Sequence, residues 1–204
     1  MKGLLIVFCL LVGYALHAQQ YAFEFWHEGK IVLESGDTLK GNVKYDMQSD
    51  LLQIEINKRY DSYTARKVLF FEIFDQTVKN YRQFYSLPYS VGGSYKAPIF
   101  FELLTEGKIT LLSRERLEYR TYNSGFYYNS TYTRMVLVNK FYLLKDIGNI
   151  EEFTGTKKAD WLDLMRPRGD DIEQYAKANR LDFEKKNELS AIVAYYNSFF
   201  KNNN

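Results

Sequence analysis

Apolar and polar residues alternate along most of this chain, and the period of the alternation changes once. From residue 21 to about residue 153 the period is two and the residues are rich in Val, Ile, Tyr and Phe, which predicts strands. Ile31 and Leu33 precede the Ser35-Gly36-Asp37 turn, and Leu39, Gly41, Val43 and Tyr45 follow it, so a hairpin is expected there. Leu52, Ile54 and Ile56 continue the meander. Segments 68–74, 99–104, 109–112 and 135–144 supply further strands, several apolar on both faces, the pattern of a closed barrel or a sandwich. Glu106-Gly107-Lys108 predicts another tight connection.

After Gly155 the period becomes helical. Trp161, Leu162 and Met165 form a short stripe that ends at Pro167, and Ile172, Tyr175 and Ala176 form a second behind the start signals Gly169 and Asp170. Leu189, Ile192, Val193, Tyr196 and Phe200 repeat at i, i+3, i+4, i+7 and i+11, an amphipathic helix. Helices this short need a surface to bury against, here the sheet or one another. The expected class is α+β: a mainly antiparallel β barrel or sandwich at 19–154, followed by a short helical cap at 155–204 packed on it.

The first eighteen residues follow neither period. Lys2, an apolar run from Leu4 to Val12, and Leu16-His17-Ala18 before Gln19 have the layout of a secretory signal peptide. The run is shorter than the roughly 20 apolar residues a spanning helix needs, and no second one follows, so no transmembrane segment is expected in the mature chain. The protein is expected to be exported, and periplasmic, secreted or peripheral at the outer membrane. Cleavage after Ala18 would leave 186 of the 204 residues, with 26 basic residues against 25 acidic ones. It would remove Cys9, the only cysteine, and His17, one of two histidines. The remainder then has no disulfide, thiol nucleophile or His-rich metal centre, and its balanced charge argues against a nucleic-acid partner. Cys9 lies mid-run behind bulky Phe8 rather than at a cleavage point, which argues against a lipid anchor.

Gly29, Ile31, Leu33, Gly36-Asp37, Leu39, Gly41, Val43 and Asp46 follow a pattern that resembles the opening of an Sm-like or SH3-like small barrel over residues 29–74. RNA-binding members carry an Asn-bearing loop after the aspartate. Met47-Gln48-Ser49-Asp50 stands there instead, so the resemblance implies a barrel-like hairpin and no RNA binding. The signal peptide, the Gly-Asp-Thr-Leu-Lys-Gly hairpin, the β-rich body and the closing Ala194-Tyr195-Tyr196-Asn197 helix together make the chain resemble uncharacterised exported β-rich proteins of Gram-negative bacteria. That resemblance implies no activity.

Candidate chemistry is sparse. His27 has Ser35 and Asp37 near it in sequence but no accompanying nucleophile motif. Asp46-x-Gln48-x-Asp50 opens like a calcium loop, yet Leu51 and Asn57 occupy the places where an EF-hand needs glycine and glutamate, so a polar turn is expected. Asp170-Asp171 suits a helix N-terminus, and Glu151-Glu152 and Glu115/Glu118 show no readable cleft geometry. The anomaly is 119–132, where Tyr119, Tyr122, Phe126, Tyr127, Tyr128 and Tyr132 stand among Arg120, Asn123, Asn129 and Arg134. Aromatic faces beside amides and guanidinium groups suit sugar stacking, peptide capture or a protein interface. Tyr81, Tyr85, Tyr89 and Tyr95 around Pro88 and Gly92-Gly93 suggest a second such loop; both clusters are alternatively hairpins whose tyrosines cover neighbouring strands.

The expected function is a non-enzymatic, exported binding or interaction protein of the cell envelope that holds an envelope protein, glycan or small ligand through Tyr119, Arg120, Tyr122, Phe126, Tyr127, Tyr128 and Tyr132. No catalytic residue, metal or cofactor is assigned. Two alternatives are an exported hydrolase using carboxylates such as Asp37, Asp46, Asp50 or Glu102, and a small outer-membrane β-barrel. The second fits poorly with an amphipathic C-terminal helix.

Overall fold

The computed structural model describes residues 21–90, 92–93, 95–123, 131–145, 148–155 and 157–200. The segment expected to be a signal peptide, with Cys9 and His17, and Phe126, Tyr127, Tyr128 and Asn129 of the aromatic cluster, therefore lie outside the described residues. The class is α+β, a mostly antiparallel ten-stranded sheet followed by three short helices. The strands are β1 (His27–Leu33), β2 (Thr38–Asp46), β3 (Leu51–Ile56), β4 (Arg59–Thr64), β5 (Val68–Asp75), β6 (Asn80–Tyr89), β7 (Ala97–Thr105), β8 (Thr110–Asn123), β9 (Thr131–Lys145) and β10 (Asn149–Phe153). Their order is β10-β9-β8-β7-β6-β5-β1-β2-β3-β4. Helices α1 (Lys158–Leu164), α2 (Gly169–Ala178) and α3 (Lys186–Ser198) follow.

Turn chemistry sets the meander. The hairpin at Ser35-Gly36-Asp37 pairs Ile31 with Leu39, and Gly36 takes φ +91°, a backbone that a side chain would strain. Asn57 and Lys58 both adopt positive φ between β3 and β4, as a two-residue primed turn requires. Three strands, β4, β6 and the short β10, lacked an apolar alternation to reveal them. β4 is exposed at nearly every position, and β6 carries the tyrosines that read as a loop around Pro88. Tyr85 stacks on Phe70 at 5.5 Å, Tyr81 meets Phe74 at 5.0 Å, and Tyr89 meets Phe101 at 5.5 Å. Those three tyrosines sit on a strand and cover its neighbours.

The sheet is strongly curled. β2 and β7 are four neighbours apart in the ladder, about 19 Å on a flat sheet at ~4.8 Å per strand. Yet the Tyr45 and Phe100 rings lie 5.6 Å apart, edge to face. Between them Phe71, Phe84, Ile31, Val43, Leu52 and Ile54 fill a core that the β1–β7 half wraps around. On the same face farther along, the helices cover Leu111 and Leu143 with Trp161, Met165, Ile172, Leu189, Ile192 and Val193. Phe101, Leu112, Tyr142 and Ile150 form a smaller cluster on the opposite face, as strand alternation demands of neighbours of Phe100 and Leu111.

Candidate functional site

Between the wrapped core and the helix-covered core, the inner face of the sheet changes from apolar to charged. Arg82 of β6, one alternation beyond Phe84, turns inward and meets Asp75 at the end of β5, Glu102 of β7 and Glu115 of β8. Its Nε and Nη2 donate to the two oxygens of Glu102 at 2.8 Å each, a bidentate pair, and Nη1 donates to Asp75 at 3.0 Å. Nη2 also reaches Glu115 at 2.9 Å. Lys186, the first residue of α3, adds a second cation: its Nζ donates to Glu102 at 2.9 Å and to Glu115. All five side chains are at most 14% exposed. Such a network is favourable only when the partners satisfy one another, because removing ions from water costs several kcal/mol apiece.

The electrostatics follow from this packing. Burial alone would raise the Glu102 pKa, but the adjacent Arg82 and Lys186 charges more than offset that, holding it below the usual glutamate value. For Asp75, burial again opposes ionisation, and Thr77 and Arg82 outweigh it. The Arg82 guanidinium, despite its burial, is held charged by Glu102, Glu115 and Asp75. Over the cluster lies a cleft of about 350 Å³ lined by the five charged residues, by Leu104 and Leu137 of the sheet, by Tyr21 and Val78, and by Asn187 and Ser190 of α3. Ser190 Oγ donates to the Leu104 carbonyl at 2.9 Å, where the β7–β8 register shifts, so α3 is tied to the sheet beside the cleft.

The aromatic cluster forms a second feature. β8 and β9 pair without a break from Thr110↔Leu144 to Asn123↔Thr131. β7 pairs with β8 only at residues 111–113, and β10 pairs with β9 only at 141–145. Among the described residues the distal part of the hairpin is therefore a two-stranded arm without strand neighbours. Of the seven expected site residues, four are described. Tyr122 and Tyr132 stack across the arm at 5.5 Å, and Arg134 lies 4.7 Å over the Tyr122 ring. Arg120 pairs across from Arg134 on that same face, whereas Tyr119 projects from the opposite face beside Met135 and is 75% exposed. These residues sit on strands and not in a loop, so the pleat divides them into two surfaces.

The other sequence candidates are dispersed. His27 is buried at the start of β1, its Nε2 2.7 Å from the Ala22 carbonyl and its Nδ1 without a partner. Ser35 and Asp37 lie past the far end of that strand, about 20 Å away at ~3.3 Å per residue, where Ser35 Oγ donates to Asp37 at 2.7 Å. Asp46 uses its oxygens on Gln48 and Ser49 of its own turn. Asp50 pairs with Arg114. Asp170 and Asp171 occupy the first turn of α2. Glu102 alone of the four proposed carboxylates enters the cleft. Among the described residues no group of three or more His, Cys, Asp or Glu side chains is arranged to hold a metal.

The cluster of Asp75, Arg82, Glu102, Glu115 and Lys186 was missed by sequence reasoning because its members span 111 residues and five elements. One signal pointed toward it: Glu102 interrupts the apolar run 99–104 on a strand buried on both faces. No protein-family model, curated protein or solved structure matches this chain.

Proposed function

We propose that this chain is an exported, non-enzymatic binding protein of the cell envelope that engages an extended segment of an envelope protein with the β8–β9 arm. The observation that carries this reading is the stacked Tyr122, Tyr132 and Arg134 on an arm that no other described strand borders. Unpaired strand edges are templates for strand addition, and tyrosine and arginine supply rigid contact area at low entropic cost. The buried polar groups support binding over catalysis. Ser113 Oγ is fully buried with no hydrogen-bonded base, and His27 is turned onto a backbone carbonyl. Among the described residues no helix is long and apolar enough to cross a membrane.

A photo-crosslinking residue placed singly at Tyr122, Tyr132 or Glu34, with irradiation of intact cells, tests the reading. Discrete adducts from the two arm positions and none from Glu34, which lies in the β1–β2 turn, are expected. Equal adduct patterns at all three positions would remove the arm as the binding element.

A further inference from the structure

The cluster beneath the cleft holds one more carboxylate than cation: Asp75, Glu102 and Glu115 against Arg82 and Lys186. Both Glu102 oxygens are engaged, as are both Asp75 oxygens. Glu115 binds Arg82 and Lys186 through Oε1, and its Oε2 accepts no hydrogen bond from the described residues although the side chain is only 8% exposed and lines the cleft. From this charge count, this free acceptor and this cavity we propose that the cleft is a binding site for a small organic monocation with an aliphatic body, a primary amine in the simplest case.

Each feature of the site selects that class. Two cations leave the three largely buried carboxylates with one negative charge in excess, and a third cation at the accessible Glu115 Oε2 supplies the counter-charge. The ammonium of an amine supplies three donors, one for Oε2. Anions are disfavoured, because Arg82 Nε, Nη1 and Nη2 and Lys186 Nζ already serve carboxylates. A metal ion is disfavoured because those same two cations occupy the space among the carboxylates that an ion would take. Leu104, Leu137 and Val78 give an alkyl chain apolar wall to lie against, and the Tyr21 ring adds an aromatic face. The cavity, about 350 Å³, falls in the range of small-molecule sites. The cleft takes Glu115 and Leu137 from the base of the arm, but neither Tyr122 nor Tyr132 lines it, so crosslinking at those two positions and amine titration test the two readings separately.

Titration of the isotopically labelled protein with pentylammonium, pentanol and pentanoate, three probes with one tail, distinguishes the head group. Saturable shifts at the Thr77, Leu104 and Ser190 amides are expected with pentylammonium alone. Glu115→Gln, which keeps the side-chain shape and removes the charge, is expected to weaken the amine about tenfold or more. Tyr21→Ala, at the cleft wall and outside every strand, is expected to weaken it severalfold and keeps the test decisive should the Gln variant fold poorly. Shifts of equal size with pentanol, no saturable shift with the amine, or unchanged amine affinity in a folded variant would overturn the site.

Discussion

Asp50 and Arg114, 64 residues apart in the chain, form a bidentate ion pair with N–O distances of 2.8 and 3.1 Å beside the backbone of Phe100. β7 parts from β8 after the Glu102↔Ser113 pair, so Phe100, in register with Ser86 of β6, has no partner on β8. Arg114 Nη1 donates to the Phe100 carbonyl at 2.5 Å, and Asp50 accepts from its N–H at 3.4 Å. The Tyr45 hydroxyl closes the group by donating to Asp50 at 2.9 Å. Two side chains thus stand in for a missing ladder and clip the β2–β3 turn onto the far half of the curled sheet.

Asp50→Asn is therefore expected to destabilise the protein by about 3 kcal/mol, because it leaves the 6%-exposed Arg114 charge without its counter-ion. Asp50 has φ +51°, which asparagine accepts as readily, so backbone strain does not confuse the result. Urea unfolding followed by circular dichroism measures it; a loss under 1 kcal/mol would mean the clip is not holding the curl.

Asn197 of α3 holds the β7–β8 turn in a comparable way. Its Oδ1 accepts from Ile109 N–H at 2.9 Å, and its Nδ2 donates to the Ile109 and Glu106 carbonyls at 2.8 and 3.3 Å. Gly107, at φ +152°, lies so near that a Cβ would stand 2.7 Å from Asn197 Cγ. Asn197→Ala should cost about 2 kcal/mol by orphaning three part-buried backbone groups at once. Gly107→Ala should cost about 1 to 3 kcal/mol through overpacking, and the double variant less than the sum, since truncated Asn197 makes room for the new methyl. Strict additivity in thermal or urea unfolding would break this link.

The charged cluster sets the response to acid. Glu102 is held below its ordinary value of 4.5, so the folded protein stays ionised there after the unfolded chain has begun to take up a proton. Its contribution is complete above about pH 4.5 and is lost as pH falls through the lower folded value, with Asp75 adding in the same direction. Urea midpoints measured from pH 7 to pH 2.5 should fall below about pH 4.5, and Glu102→Gln should flatten that fall while lowering stability at neutral pH.

At the alkaline end Tyr142 behaves oppositely. Burial, with a further contribution from Glu152, pushes its phenol up to about 12. The unfolded chain ionises near 10, so stability should decline from about pH 10 to 12. Ultraviolet titration should show several late phenols, since burial also raises Tyr45 and Tyr89, and Tyr142→Phe should remove one of them; a set of tyrosines all titrating near 10 would contradict the burial.

Exposed arm residues should matter little to folding. Tyr119→Ala is expected to change stability by no more than about 0.5 kcal/mol, and Tyr132→Ala by about 0.5 to 1 kcal/mol through loss of the cross-strand stack. Unfolding curves measure both, and small effects would leave binding experiments on the arm free of folding artefacts.

Local pattern made much of this fold legible. Ile31 and Leu39 declare their hairpin because a half-buried strand must alternate, and Leu189, Ile192, Val193 and Tyr196 declare α3 because one helical stripe must face the core. β4, β6 and β10 stayed hidden for the same reason: Arg59–Thr64 and Asn149–Phe153 bury too little to alternate, and tyrosines satisfy both a strand and a binding loop. Periodicity also carried the expectation of a sheet first and helices after it. The curl that brings Tyr45 against Phe100, the split of Tyr119 from Tyr122 onto opposite faces, and the meeting of Arg82 with Glu115 and Lys186 depend on register and on contacts between residues far apart in the chain. Sequence periodicity reports only which side of its own element a residue faces; which elements share that side is set by how the sheet wraps, and that is where the charged cleft arises.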